Sequence, residues 1–501
     1  MPPSLRHDIL ATADEFFATT IFLFGAYGTI RAGLTGANGA LTNDSLIVIA
    51  FGFGCGFFDD FCMDSLEYIW SMVQSRNMHG GIPVWQNLVC PFFTITTIYT
   101  SNPSYSHPIS LLRCISYTIA ECLAAIFAAA LIKALLPGDY IGATAPGLGS
   151  SLAQTWFLEM IMTCVLALVV LNAGIDGQTE QLAPLHIGLT LLVIHLGAVP
   201  FSGSGVNPAR SLGSAVLSGV WTAHWIYWTA PIVGGLLGFA IWKLLQKGRA
   251  QPDNDFLAAV SEFIGTAMFL FLAYAGIQAA IQTSAGTFAS TLLVVALSFG
   301  FSLMITIWTF AGVTGSPQNP AVCLAVYIIG EMSLKRMIFY IIAELLGALF
   351  AGGLTYAIFP NKVTGATTLG ASTTQVQGAM LEAISTAILL FVILRNAVTG
   401  TSGIFGVSNT RGFRPDRPSS CNGAIYWHIR EYCTFAWVYV VGQAIGVVIA
   451  VGVWKVASLT DEEVAADAAV EEEEEAAKAA SPSPTGTLIG DELTDVKTEQ
   501  V

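Results

Sequence analysis

Long apolar runs broken by short polar stretches set the pattern of this chain. They cover Ile9–Ile30, Leu46–Phe58, Leu111–Ala134, Leu152–Leu171, Leu185–Pro200 and Trp225–Leu245 in the first half. A second set covers Leu257–Ile281, Thr291–Ala311, Met337–Ile358, Val376–Ile393 and Phe435–Val456. Most approach the roughly 20 residues that an α-helix needs to cross a hydrocarbon core. The pattern predicts an all-α, polytopic membrane protein. The first run is too long and too poorly capped for a cleaved signal peptide, so it reads as a span.

Two shorter apolar segments open in the same way. Asn207-Pro208-Ala209 starts Pro208–Val216, and Asn319-Pro320-Ala321 starts Pro320–Ile328. Asn serves as a helix N-cap, and Pro suits the first helical position because its missing N–H is not needed there. Each triplet predicts a short helix that begins inside the membrane, with its positive dipole end at the midplane. The cap uses the Asn oxygen and leaves the amide N–H₂ free to donate to a passing molecule.

The halves echo one another. Glu15-Phe16, Phe22-Leu23-Phe24 and Ala26-Tyr27 recur as Glu262-Phe263, Phe269-Leu270-Phe271 and Ala273-Tyr274, 247 residues later. Ala120-Glu121 recurs as Ala343-Glu344 and Leu158-Glu159 as Leu381-Glu382, each 223 residues later. Repetition at this period predicts two copies of one bundle. The expected division is repeat 1 over 1–245, a polar linker over 246–255, repeat 2 over 256–459 and a tail over 460–501.

With the paired triplets and the duplication in view, the chain resembles the aquaporin (major intrinsic protein) family. The resemblance covers roughly residues 8–458, most clearly 151–245 and 256–360. It implies two helical bundles in tandem, each with re-entrant half-helices that pass water in single file. Protons are refused by the positive half-helix ends and by an outer constriction. That constriction carries over by position. His195 lies twelve residues before Asn207, Ser204 three before it, and Arg210 directly follows the triplet. The aromatic member lies twenty before the first Asn, which selects Phe299 before Asn319 and, by alignment, Phe51 in repeat 1. Ser211 follows Arg210 where glycerol-conducting relatives have Asp, so the resemblance is to a water channel. The resemblance also makes Glu15, Glu159, Glu262 and Glu382 acceptors for backbone N–H groups of the re-entrant loops, rather than the proton path that intramembrane acids suggest by default. Glu121 and Glu344 stand where the family usually has Gln, and neither is given a role.

Each repeat departs from the family at one loop. Repeat 1 has no triplet after its second span, and Asn102-Pro103-Ser104 sits too close to Glu121 to replace it. Repeat 2 lacks a fifth span and a second triplet; Val398–Glu431 carries Arg411, Arg414, Arg417, Pro415 and Pro418 instead. Three readings follow. Repeat 1 conducts through Phe51, His195, Ser204 and Arg210. Alternatively, 151–245 and 256–360 form one permuted pore with Phe299 in the filter. Or 57–109 and 398–431 are not genuine coding sequence and two channel genes have been fused. The functional expectation is passive water flow, with a glycerol or small-solute facilitator and a non-conducting membrane scaffold as alternatives.

Composition agrees with a membrane channel and excludes other classes. Apolar residues make up 54% of the chain, charged residues only 11%, and mean hydropathy is +0.66. Of the net charge of −14, the stretch 461–501 supplies −11, from thirteen acids and two lysines, which leaves −3 on the rest. That tail is expected to be disordered and solvating, with Ser481 and Ser483 each before a proline. An acidic tail without a basic patch disfavours nucleic acid. Nine scattered cysteines without CxxC spacing read as small hydrophobes. No enzyme motif, metal or cofactor is implied. Arg6, Lys243, Lys247, Arg249, Lys335 and Arg336 place the N-terminus and linker on the cytoplasmic side, while Arg31 argues the other way. The expected partners are water, small neutral solutes, the lipid bilayer and further copies of the chain, with the plasma membrane as the expected site.

Overall fold

The computed structural model describes residues 3–37, 39–55, 111–174, 182–283, 287–361, 363, 367–369, 372–395 and 437–458. The stretches 57–109 and 398–431 and the acidic tail, with their expectations, lie outside the described residues. Repeat 1 comprises α1 (Pro3–Gly36), α2 (Asn43–Cys55), α3 (Leu111–Leu135), α4 (Leu152–Gly174), α5 (Ala183–Ser202), α6 (Pro208–Ser218) and α7 (Ile226–Ala250). Repeat 2 comprises α8 (Asp255–Gln282), α9 (Phe288–Thr314), α10 (Pro320–Ile328), α11 (Leu334–Ile358), α12 (Gln375–Ile393) and α13 (Trp437–Ser458). Ten of these are long and apolar enough to cross a membrane. Helix α2 has 13 described residues, and the end of its expected span at Phe58 is not among them.

In repeat 1 the neighbours run α3, α1, α2, α5, α4, α7, and the short α6 packs against α3 and α7, joining the two ends. Close approach to α3 is possible because position 213 is glycine: a Cβ there would lie 2.5 Å from the Ala125 carbonyl. In repeat 2, α8 packs on α9 and α11, while α10 lies against α11 and α12. Helix α13 closes on α12 through Gly442 and Gly446, whose absent side chains let it reach the backbone of Ala379 and Ala383. Apolar side chains on the outer faces, such as Phe17, Ile388 and Val440, are exposed, as lipid-facing residues are.

The repeats meet side by side. Helix α5 packs on α8 and α9, and Gly197 sits so close to Ala275 that a Cβ would lie 2.8 Å from the alanine methyl. Polar groups line the same seam. Asn172 Nδ2 donates to the carbonyls of Trp308 (3.4 Å) and Thr309 (3.2 Å), and Arg249 donates to Asn172 Oδ1. His186 Nε2 donates to the Ile305 carbonyl at 3.1 Å. Asn43 Nδ2 donates to the Ala280 carbonyl (3.0 Å) and to Thr291 Oγ1 (2.9 Å).

This packing differs from the permuted pore. Such a pore would set α6 among α8 and α11, and α10 among α4 and α7. Instead α6 is held by repeat 1 helices and α10 by repeat 2 helices. The linker is also shorter than expected. Helix α7 runs to Ala250, because nothing interrupts it before Pro252 and Lys247 and Arg249 favour its C-terminal dipole end. Only Gln251–Asn254 leaves the helix, and Asn254 caps α8 through Leu257 N at 3.1 Å.

Candidate pore constriction

Both triplets open helices. Asn207 is extended (φ −142°) and its Oδ1 accepts from Ala209 N (2.8 Å) and Arg210 N (3.4 Å). Asn319 (φ −156°) accepts from Ala321 N at 2.9 Å. Pro208 and Pro320 hold the first helical turn, and both Asn side chains are half-buried.

The approach loops share one backbone trace. Gly203, Ser204 and Val206 have φ of 76°, 51° and 43°; Gly315, Ser316 and Gln318 have 81°, 54° and 47°. A left-handed conformation costs a side-chain-bearing residue about 1–2 kcal/mol, so the two non-glycine residues of this kind in each loop need fixed partners. A buried glutamate supplies them in each repeat. Glu159 accepts from Gly205 N (2.9 Å) and Val206 N (2.7 Å). Glu262 accepts from Gln318 N (3.2 Å) and from Thr314 Oγ1. The likeness extends to a pair of tyrosines to which sequence reasoning gave no role in the loops. Tyr227 OH donates to the Ser202 carbonyl (2.7 Å) and Tyr340 OH to the Thr314 carbonyl (3.3 Å). The signal was present as Ser202-Gly203-Ser204 against Thr314-Gly315-Ser316, each just before a triplet.

His195, Ser204 and Arg210 are all buried in repeat 1. His195 Nδ1 donates to the Leu191 carbonyl at 2.8 Å, which in the neutral ring makes Nε2 an acceptor. His195 Nε2, Ser204 Oγ and Arg210 Nε have no hydrogen-bond partner among the described residues. Arg210 Nη1 donates to the Gly142 carbonyl (2.7 Å), Nη2 to the Gly203 carbonyl (3.4 Å), and Tyr27 OH to the Arg210 carbonyl (2.5 Å). Phe53 stacks on His195, with ring centroids 3.7 Å apart and planes at 19°, and the Arg210 guanidinium lies 5.4 Å from the Phe53 centroid.

Other expected site residues are placed elsewhere. Phe51, two positions before Phe53, is 37% exposed on the far side of α2. Phe299 is half-buried in repeat 2, edge-on to Phe269 at 6.2 Å, and is not brought to His195. Glu15 is buried, and its Oε1 has no partner among the described residues. Glu382 is half-buried beside Gly442 of α13. The loops that Glu15 and Glu382 would hold fall outside the described residues. Glu344 is buried behind α10, where Cys323 Sγ donates to it at 3.2 Å.

The chain is similar to Aquaporin-2 of Saccharomyces cerevisiae, with 32% identity over 252 residues, covering 48% of this chain and 78% of that one. It is similar to Probable aquaporin PIP2-7 of Oryza sativa subsp. japonica, at 30% over 277 residues, covering 52% and 84% respectively. Over 150 residues it is 41% identical to Aquaporin-5 of Botryotinia fuckeliana, 28% of each chain. The family model for the major intrinsic protein matches residues 98–242 and again residues 251–407. Matched twice in tandem over more than half its length, this integral membrane chain belongs to the major intrinsic protein family, a family of channels.

Proposed function

We propose that the protein is a passive water channel and that repeat 1 carries the pore through His195, Ser204 and Arg210. The observation that carries this reading is the trio of buried polar atoms without partners among the described residues, His195 Nε2, Ser204 Oγ and Arg210 Nε, beside the N-terminal end of α6. A water molecule stripped of its shell needs donors and acceptors at close spacing. An acceptor on His195, a hydroxyl on Ser204 and a donor on Arg210 meet that need. The Arg210 charge and the positive end of α6 repel cations, and the Asn207 amide beyond them is free to donate. The size of His195 and the absence of an acid after Arg210 favour water over glycerol. Phe53 supplies the apolar wall in the place first assigned to Phe51, while Phe299 belongs to the corresponding wall of repeat 2.

Each repeat keeps a triplet loop anchored by a glutamate, Glu159 in one and Glu262 in the other. Glu15 and Glu382 are assigned the same task for their own loops. Further copies of the chain in the plasma membrane complete the reading. The test is osmotic swelling of proteoliposomes. Fast water-driven swelling with little glycerol uptake is expected, altered by replacing His195 and Arg210. Inserted protein that moves no more water than empty vesicles would favour a scaffold, and rapid glycerol entry would favour a solute facilitator.

A further inference from the structure

We infer that Arg31 is a positioning residue for the constriction: it holds the loop that delivers a backbone carbonyl to Arg210. The inference rests on the repeat 1 pore reading. Arg31 lies near the end of α1 and is 2% exposed, which is unusual for an arginine at a helix terminus. No carboxylate pairs with it among the described residues. Its guanidinium instead gathers three carbonyls of the segment after α3. Nε donates to Tyr140 O (2.7 Å), and Nη1 to Leu136 O (2.7 Å) and Gly138 O (2.5 Å). Two residues further on, the Gly142 carbonyl accepts from Arg210 Nη1 at 2.7 Å.

The segment has no regular structure of its own, so Arg31 and its neighbours set its path. Gly142 has φ 71°, and a Cβ there would lie 2.3 Å from Ile30 Cδ1. The loop is thus pressed onto α1 at Ile30 and bonded to it at Arg31. One turn earlier, Tyr27 fixes the Arg210 carbonyl. Helix α1 therefore grips both ends of the interaction: the α6 backbone that carries Arg210, and the loop that receives its guanidinium. A fork with several fixed donors suits three carbonyls in a way that a lysine point charge does not. The burial also explains why Arg31 stands against the charge bias of the other basic residues, since its charge is spent on backbone oxygens.

The test uses the full chain in proteoliposomes with Arg31→Leu, Arg31→Lys, Arg210→Val and the double variant Arg31→Leu/Arg210→Val. The expected result is a rise of about threefold or more in the ratio of urea to water permeability for Arg31→Leu, and a smaller rise for Arg31→Lys. Arg31→Leu should add little once Arg210 is gone, because it acts through that side chain. Fully additive effects would overturn the proposal. A second measurement is independent of conduction. Ile141→Cys places a thiol at a buried loop position. Its labelling by a membrane-impermeant maleimide, above that of the chain without this cysteine, should be slow with Arg31 and fast with Arg31→Leu. Equal labelling overturns the proposal. If wild-type vesicles swell no faster than empty ones, the pore reading falls and the filter role with it, while the labelling still decides whether Arg31 holds the loop.

Discussion

At the scale of single residues, sequence spacing named three polar side chains that the structure buries near α6, but not the ring that packs on His195. His195, Ser204 and Arg210 are tied to Asn207 by the end of α5, one short loop and the start of α6, so their distances in sequence fix their neighbourhood. Phe51 and Phe53 lie on a different helix, two residues apart. Successive helix positions turn by about 100°, so the two rings point nearly opposite ways. Only the packing of α2 against α5 decides which one meets His195, and in the structure it is Phe53. Arg31 was equally opaque, because its partners are carbonyls that no sequence pattern marks. Two predictions belong here. Arg210→Val removes the fixed positive charge that the proposed pore places in its filter. If that charge supplies even about 1.4 kcal/mol of the barrier to a cation, its loss should raise cation or proton leak about tenfold. Leak measured with a pH-sensitive dye inside vesicles should rise while insertion stays normal; an unchanged leak would remove Arg210 from the filter. Glu159→Ala takes the acceptor from two buried N–H groups, each worth about 1–3 kcal/mol when left unmade, and frees Val206 from its left-handed conformation. A clear fall in thermal stability in detergent, with loss of water flow, is expected. Glu159→Gln keeps one carbonyl acceptor and should fall between Ala and wild type.

Elements were the most legible level. The long spans follow from apolar length alone, and the two half-helices start where Asn caps and Pro fits. Their ends were less clear from sequence. Helix α6 runs on to Ser218 and stops at Gly219, which adopts φ 75°, a position that glycine tolerates without strain. Helix α7 overran the expected linker because polar residues such as Gln246, Lys247 and Arg249 form helix well, and polarity by itself does not end one. Alongside the hydrogen bonds from Tyr27 and Lys133 to its backbone, a close approach to α3 holds α6 in place. Gly213 faces the Ala125 backbone on α3, and backbone cannot step aside as a side chain can. Gly213→Leu should therefore push the two axes apart, at a cost of about 1–3 kcal/mol in strain, and displace Arg210 one turn away. The expected reading is a protein that still inserts but has lost most of its water permeability. Wild-type flow in this variant would show that α6 does not depend on α3 for its position.

For the molecule as a whole, the duplication was readable but the arrangement of the copies was not. Motif placement left open that the two intact halves share one pore. Packing instead keeps each triplet within its own repeat and joins the repeats along α5, α8 and α9. Inside a bilayer, apolar surface gives helices no preference for one another over lipid, so the joint must rest on close backbone approach and hydrogen bonds. The hydrogen bonds from Asn172, His186 and Asn43 are worth about 0.6 kcal/mol each by that measure, too little to hold two bundles together unaided. Close approach at Gly197 and Ala275 carries the remainder, and no side chain larger than hydrogen fits at position 197. This leads to a test of the seam that does not depend on conduction. A protease site placed between Pro252 and Asp253, both exposed, lets the two repeats be cut apart after purification. If the seam is sound, the fragments stay together in detergent. Adding Gly197→Leu should let them separate, and Asn172→Leu should weaken them only slightly. Fragments that part as soon as the wild-type linker is cut would mean that the covalent connection, and not the α5 face, keeps the repeats side by side.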